Sequence, residues 1–251
     1  MAAATGIHQL TAAEWEACQK LGFQSYAIGT SGSLVDYINT NLPGLDLLTW
    51  LTEIDNLLKG MTGKPVFKVV GFDSGAPLKL IIQYYSEDSD DDIHGLAFQR
   101  TIIKDKDHKT AVHDFFRIPR TSRMQGNGRK MLAVGLQQYL NIGVDIIRVH
   151  AALADGGFVW AKAHFTAVNK QEIRLILAAA KLGLNDSRFK PVKAAFENYY
   201  AKHPDGKAFP INKWSNMPGM EPILRGSDWH GEIDLNNKEL LAKFKNYVAG
   251  K

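Results

Sequence analysis

The chain has 251 residues and a formal net charge of +4, from 30 Lys and Arg against 26 Asp and Glu. That length carries one substantial core, or one core with a smaller appended subdomain. The excess charge is mild, gathers in no single tract and is not interleaved with aromatics, which argues against a nucleic-acid partner; no run reaches the roughly 20 apolar residues of a membrane span.

The single cysteine, Cys18, rules out an intrachain disulfide and fits a reducing compartment. It reads as a small buried apolar residue. The N-terminus shows no basic leader before an apolar stretch, so no signal peptide is expected. The expected location is the cytoplasm, with leaderless export left open.

Residues 10–60 read as helical. "LTAAEWEACQKLG" opens with Thr11 and Glu14 at capping-box spacing and ends at Gly22. "SLVDYINTNL" starts at Ser33 and stops before Pro43. The next helix puts Leu47, Leu51, Ile54 and Leu58 on one face. "GTSGS" at 29–33 lacks a Walker lysine and reads as an ordinary turn. Then "KPVFKVVGF", "LKLIIQYYS", "HGLAFQRTIIK" and "TAVHDFFRI" form consecutive β-branched and aromatic runs with turn-like linkers, the pattern of an antiparallel meander. The acidic linker "EDSDDDI" reads as a solvated loop, because no later residue completes a calcium loop.

A glycine-rich turn follows, then a helix over 126–141 with Leu132, Leu136 and Leu140 four apart. "VDIIRVHAAL" has the near-continuous apolar run of a central strand, and "GGFVWAKAHF" is a short helix. The fold class is therefore α+β (mixed α/β): a central mixed sheet from an antiparallel meander followed by β-α-β, with extra N- and C-terminal helices. The parts are a helical extension over 1–63, a core over 64–166, and a helical, loop-rich extension over 167–251 packed on the core. In that last part, "AFPINKWSNMPGMEPILRGSDWHGEIDL" is loop-rich with possible short strands.

The turn "RIPRTSRMQGNGRKML" at 117–132 carries the functional signal. First-turn N–H groups of a helix have no intrahelical acceptor, and the helix dipole favours an anion there. Gly126 and Gly128 let a ligand approach the backbone, and Arg123 and Arg129 add cationic donors. The reading is an anion-binding strand-turn-helix, against the plainer alternative of glycines used for turn geometry alone.

"Arg123-Met124-Gln125-Gly126-Asn127-Gly128" resembles the acyl-CoA motif of the GNAT acyltransferase superfamily, Arg/Gln-x-x-Gly-x-Gly/Ala. Ile118 stands where that family has an aliphatic residue five before the Arg, and the resemblance extends over about residues 64–166. It implies that backbone groups of Phe116, Arg117 and Ile118 pair with the pantetheine arm. It further implies that the N–H groups of Met124, Gln125, Gly126, Asn127, Gly128 and Arg129 hold the pyrophosphate. The implied activity is an N-acetyltransferase. It moves an acetyl group from acetyl-CoA to an amine, on a small molecule or a protein, by direct base-assisted attack without a metal. Oligomeric state is open.

Acyl transfer needs a base, oxyanion donors and an acid for the thiolate. Strand alternation puts Asp114 with Phe116 and Ile118 on one face, and His113, Phe115 and Arg117 on the other. The family's carboxylate base has the parity of Asp114. His150, in "RVHAAL", is a second candidate base, or else a hydrogen-bonded strand residue. Two positions depart from the family: Trp160 replaces a tyrosine, and His164 a glycine. Asp228, His230 and Glu232 in "GSDWHGEIDL" either join the site or form a surface turn. Two further readings stand beside the enzyme: a non-catalytic CoA- or nucleotide-binding GNAT-like module, and a mobile-element or secreted effector that modifies a macromolecule.

Overall fold

The computed structural model describes residues 7–29, 32–91, 93–123 and 125–251. It is a mixed α/β structure in two compact units, Met1–Asp145 and Ile146–Lys251. The division after Asp145 falls inside the 64–166 span that the sequence reads as one core.

The first unit runs α1 (Ala12–Lys20), β1 (Phe23–Ile28), α2 (Leu34–Asn41), α3 (Leu47–Leu58), β2 (Val66–Asp73), β3 (Leu78–Ser86), β4 (Ala97–Asp105), β5 (His108–Arg117), a 3-10 turn (Arg120–Ser122) and α4 (Asn127–Asn141). The expected meander is β2 to β5, antiparallel throughout. The Thr11–Glu14 capping box forms, and Ser33 caps α2 through the Asp36 N–H. β1 corrects the expectation of an all-helical start. It pairs parallel with β2, and only its first residue is buried. Such a strand has strand-favouring Phe23, Tyr26 and Ile28 but no apolar alternation to mark it.

One face of this sheet is covered. Tyr37 of α2 packs on Phe72 at 5.1 Å between ring centres, and Trp50 of α3 meets Tyr139 of α4 edge-on at 5.8 Å. The other face is more open, with Phe67 49% exposed and stacked on Tyr85. In the "EDSDDDI" loop the acids serve the turn. Asp91 accepts from the Ile93 and His94 N–H groups, and Asp88 from the Ser86 hydroxyl. Gly95 closes the loop, where a Cβ would lie 2.3 Å from the Asp91 carbonyl.

The second unit runs β6 (Ile146–Ala151), α5 (Leu153–Lys162), β7 (Thr166–Ala167), α6 (Lys170–Gly183), α7 (Asp186–Lys202), α8 (Asn212–Ser215), α9 (Met220–Arg225), β8 (Trp229–Asp234) and α10 (Lys238–Val248). β8, drawn from the loop-rich stretch, lies between β6 and β7 and antiparallel to both. Phe209 and Trp214 anchor an aromatic cluster with Phe196 and Tyr200. The Trp214 indole N–H donates to the Val192 carbonyl.

A buried ion pair ties the first unit together. Lys68 Nζ of β2 donates to Asp55 Oδ1 of α3 at 2.6 Å and to the Leu21 carbonyl beyond α1 at 2.7 Å. The Tyr84 hydroxyl of β3 also donates to Asp55, and Asp55 is 4% exposed. Removing one partner strands the other's charge in the core, which costs about 3–5 kcal/mol. Asp55→Ala should lower unfolding stability by about that amount in denaturant titration. Adding Lys68→Met should recover a large part of the loss, and no recovery would sink the assignment.

Candidate functional site

The structure builds two polar centres, one in each unit. The first lies at β5 and the turn after it. Gln99 pairs with Phe115, but Thr101 pairs with Val112, so His113 and Asp114 both oppose Arg100 of β4. This β-bulge corrects the alternation expected for β5. His113 turns inward with Phe116 onto the helix-covered face, and Asp114 is exposed.

Arg100 is 3% exposed. Its Nη1 donates to the Gln99 carbonyl at 2.7 Å and the Phe115 carbonyl at 3.0 Å, and the guanidinium lies over the rings of Phe98 and Phe116. The Tyr139 hydroxyl lies near the guanidinium and stands 3.0 Å from His113 Nε2. Burial, reinforced by the nearby Arg100 charge, holds the His113 pKa well below 6.5. Burial also raises the Tyr139 phenol to about 12.

Past Arg117 the chain is pinned by its own side chains. Arg117 lies over the Phe115 ring and donates to the Ser89 carbonyl. Arg123 Nε donates to the Ile118 carbonyl at 3.1 Å, Gln125 to Thr121 and Asn127 to Ser122. Gly126 is the N-cap of α4 at φ 75°, a left-handed conformation suited to glycine, and no side chain caps the helix among the described residues. Open space surrounds Gly126. At Gly128 a Cβ would meet only Phe116, at 3.9 Å, so that position has room for a small side chain. Arg129 and Lys130 are exposed at the same end. Met124 lies outside the described residues, as do Thr30 and Ser31 of "GTSGS" and Asp92 of the acidic loop.

The second centre is on the outward face of β6 and β8. Trp229, Gly231 and Ile233 turn inward. Trp229 folds across Gly231, where a Cβ would lie 2.5 Å from the indole, and His230 is left outside. His150 and His230 are register partners, and their rings stack 4.4 Å apart at 3°. Each has its own carboxylate. His150 Nε2 is 2.6 Å from Asp228 Oδ1, and His230 Nδ1 is 2.8 Å from Glu172 Oε1 of α6. The His230 N–H also donates to Glu172 Oε2. With Nε2–H directed at Asp228, His150 presents Nδ1 as a proton acceptor.

His150 and Asp228 thus come together across 78 residues, while Asp114 and the turn belong to the other unit. Sequence reasoning did not single out Arg100, Tyr139 or Glu172. Arg100 had a weak signal, a charge in the middle of a β-rich run; Glu172 had none. Among the described residues no three His, Cys, Asp or Glu side chains converge to hold a metal, and no helix is long and apolar enough to cross a membrane.

His164 sits at φ 67°, and its Nδ1 is 3.1 Å from Asn212 Nδ2. A positive φ is unusual for a residue with a side chain. No protein-family model matches the sequence, and no curated protein matches it.

His164→Ala and His164→Gly both remove the ring but differ in tolerance of positive φ. The alanine variant should be about 1 kcal/mol less stable than the glycine variant in urea unfolding. Equal stability would show that the backbone relaxes. His113 gives a pH signature. Its folded pKa lies below the unfolded 6.5, so the unfolded chain binds the extra proton. Stability is therefore flat above 6.5 and falls by about 1.4 kcal/mol per pH unit below it, until the folded pKa is reached. His113→Gln should flatten part of that fall in thermal melts between pH 7 and 5.

Proposed function

We propose that the protein is an N-acyltransferase that takes an acetyl group from acetyl-CoA and delivers it to an amine. The observation that carries this reading is the start of α4, which no side chain caps among the described residues, with left-handed Gly126 in open space between Arg123 and Arg129. Such a helix start favours a pyrophosphate through free N–H groups and the helix dipole. The acyl-CoA motif, with Ile118 five before Arg123, supports a GNAT-type cofactor mode, in which the backbone from Phe116 to Arg129 holds CoA.

The candidate bases for the amine proton are Asp114, exposed at the bulge of β5 in the unit that carries the turn, and His150, whose ring Asp228 orients. Attack by the amine nitrogen on the thioester carbonyl forms the C–N bond. The C–S bond breaks, and the thiolate takes a proton from water, since the Trp160 indole is no acid at neutral pH.

Isothermal titration with CoA tests the cradle. Gly126→Asp should abolish binding, while Gly126→Asn, similar in size and also tolerant of positive φ, should retain much of it. Unchanged affinity in Gly126→Asp would falsify the phosphate assignment. Thiol release from acetyl-CoA with a panel of amines tests the chemistry. His150→Ala should slow it by about 10²–10⁴-fold, and Asp228→Asn by less. CoA binding without any thiol release would favour the non-catalytic module.

A further inference from the structure

Outside the turn at 117–130, a second concentration of positive charge lies on α6 and α7. From Lys170 to Lys202, α6 and α7 carry seven Lys and Arg against three Asp and Glu, a difference of +4 that equals the net charge of the whole chain. The sequence reads as unclustered because these cations form no run; two adjoining helices collect them.

The same helices leave apolar surface in water. A groove of about 440 Å³ is floored by Leu177 and Ala178 of α6 and by Phe189 and Phe196 of α7. Arg174 and Lys181 stand on one bank and Lys193 on the other. Beside it Leu175 is 64% and Leu182 90% exposed, seven residues apart. Val168, 40% exposed, lies seven earlier. The opposite side of α6 is already used, with Ile173, Ile176 and Ala180 buried. α6 therefore has two apolar faces and buries one.

We propose that this surface docks an acidic amphipathic helix from a partner protein. Leucines seven apart beside a groove match the heptad of a helix laid along α6, whose apolar side chains fill the floor. The cations on both banks match acidic flanks on such a helix and favour its encounter. A bilayer would use the cations and leucines but gives no reason for a seven-residue repeat or a concave floor. Nucleic acid would use the cations and leave the leucines wet. A second copy cannot pair through this same face, because each would bring the same +4. The proposal does not depend on acyl transfer.

The probe is a labelled synthetic peptide of about 20 residues, long enough to form a helix, with Leu at the heptad a and d positions and Glu among the rest. Fluorescence anisotropy with the full chain should give a Kd on the order of micromolar. The shuffled peptide of equal composition should not bind. Lys181→Glu with Lys193→Glu, and separately Leu175→Ser with Leu182→Ser, should each weaken binding by about tenfold or more. All four side chains are exposed, so the melting temperature should stay unchanged. The proposal fails if the peptide does not bind, if the shuffled peptide binds equally, or if neither double variant matters. Binding to vesicles of about 30% phosphatidylserine in place of the peptide would also overturn it, in favour of a membrane surface.

Discussion

The first unit is organised around a buried cation, Arg100. Burial lowers its pKa, but a guanidinium stays charged, so its desolvation must be offset. Two carbonyls, one phenol, two ring faces and the nearby Asp114 charge do this. Each constrains its own element. The Phe115 carbonyl is held at the bulge of β5, and Tyr139 holds α4 to the sheet. Gly135 leaves the room that the Tyr139 hydroxyl needs, since a Cβ there would lie 3.1 Å from it.

The second unit solves a different problem, holding two imidazoles side by side in water. Its solution is strand alternation. Ile147, Val149 and Ala151 of β6 face inward, as do Trp229, Gly231 and Ile233 of β8, so His150 and His230 face out at the same register. Each ring has its own carboxylate partner, Asp228 for His150 and Glu172 for His230, which fixes the ring planes.

Local features were legible in the sequence because local spacing encodes them. The Thr11–Glu14 capping box, the stripe of α3, the meander from β2 to β5 and the glycine before α4 all rest on neighbours within a few residues. What escaped depends on partners far along the chain. β1 is a strand only because β2 accepts it. The facing of Asp114 turns on a bulge set by β4. The roles of Asp228 and Glu172 follow from contacts spanning 78 and 58 residues. His150 stood out in sequence as a polar residue in an apolar strand, but nothing around it named its carboxylate.

The burial of Cys18 has a practical consequence. The residue is fully buried in α1, and burial together with the Glu14 charge pushes its thiol up to about 11. At neutral pH it is protonated and shielded, hence inert to alkylating reagents. As the chain has no other cysteine, one introduced at any exposed position becomes the sole reactive thiol. A fluorophore or spin label can then be set on the turn, on the stacked imidazoles or on the basic helices without altering any native residue elsewhere.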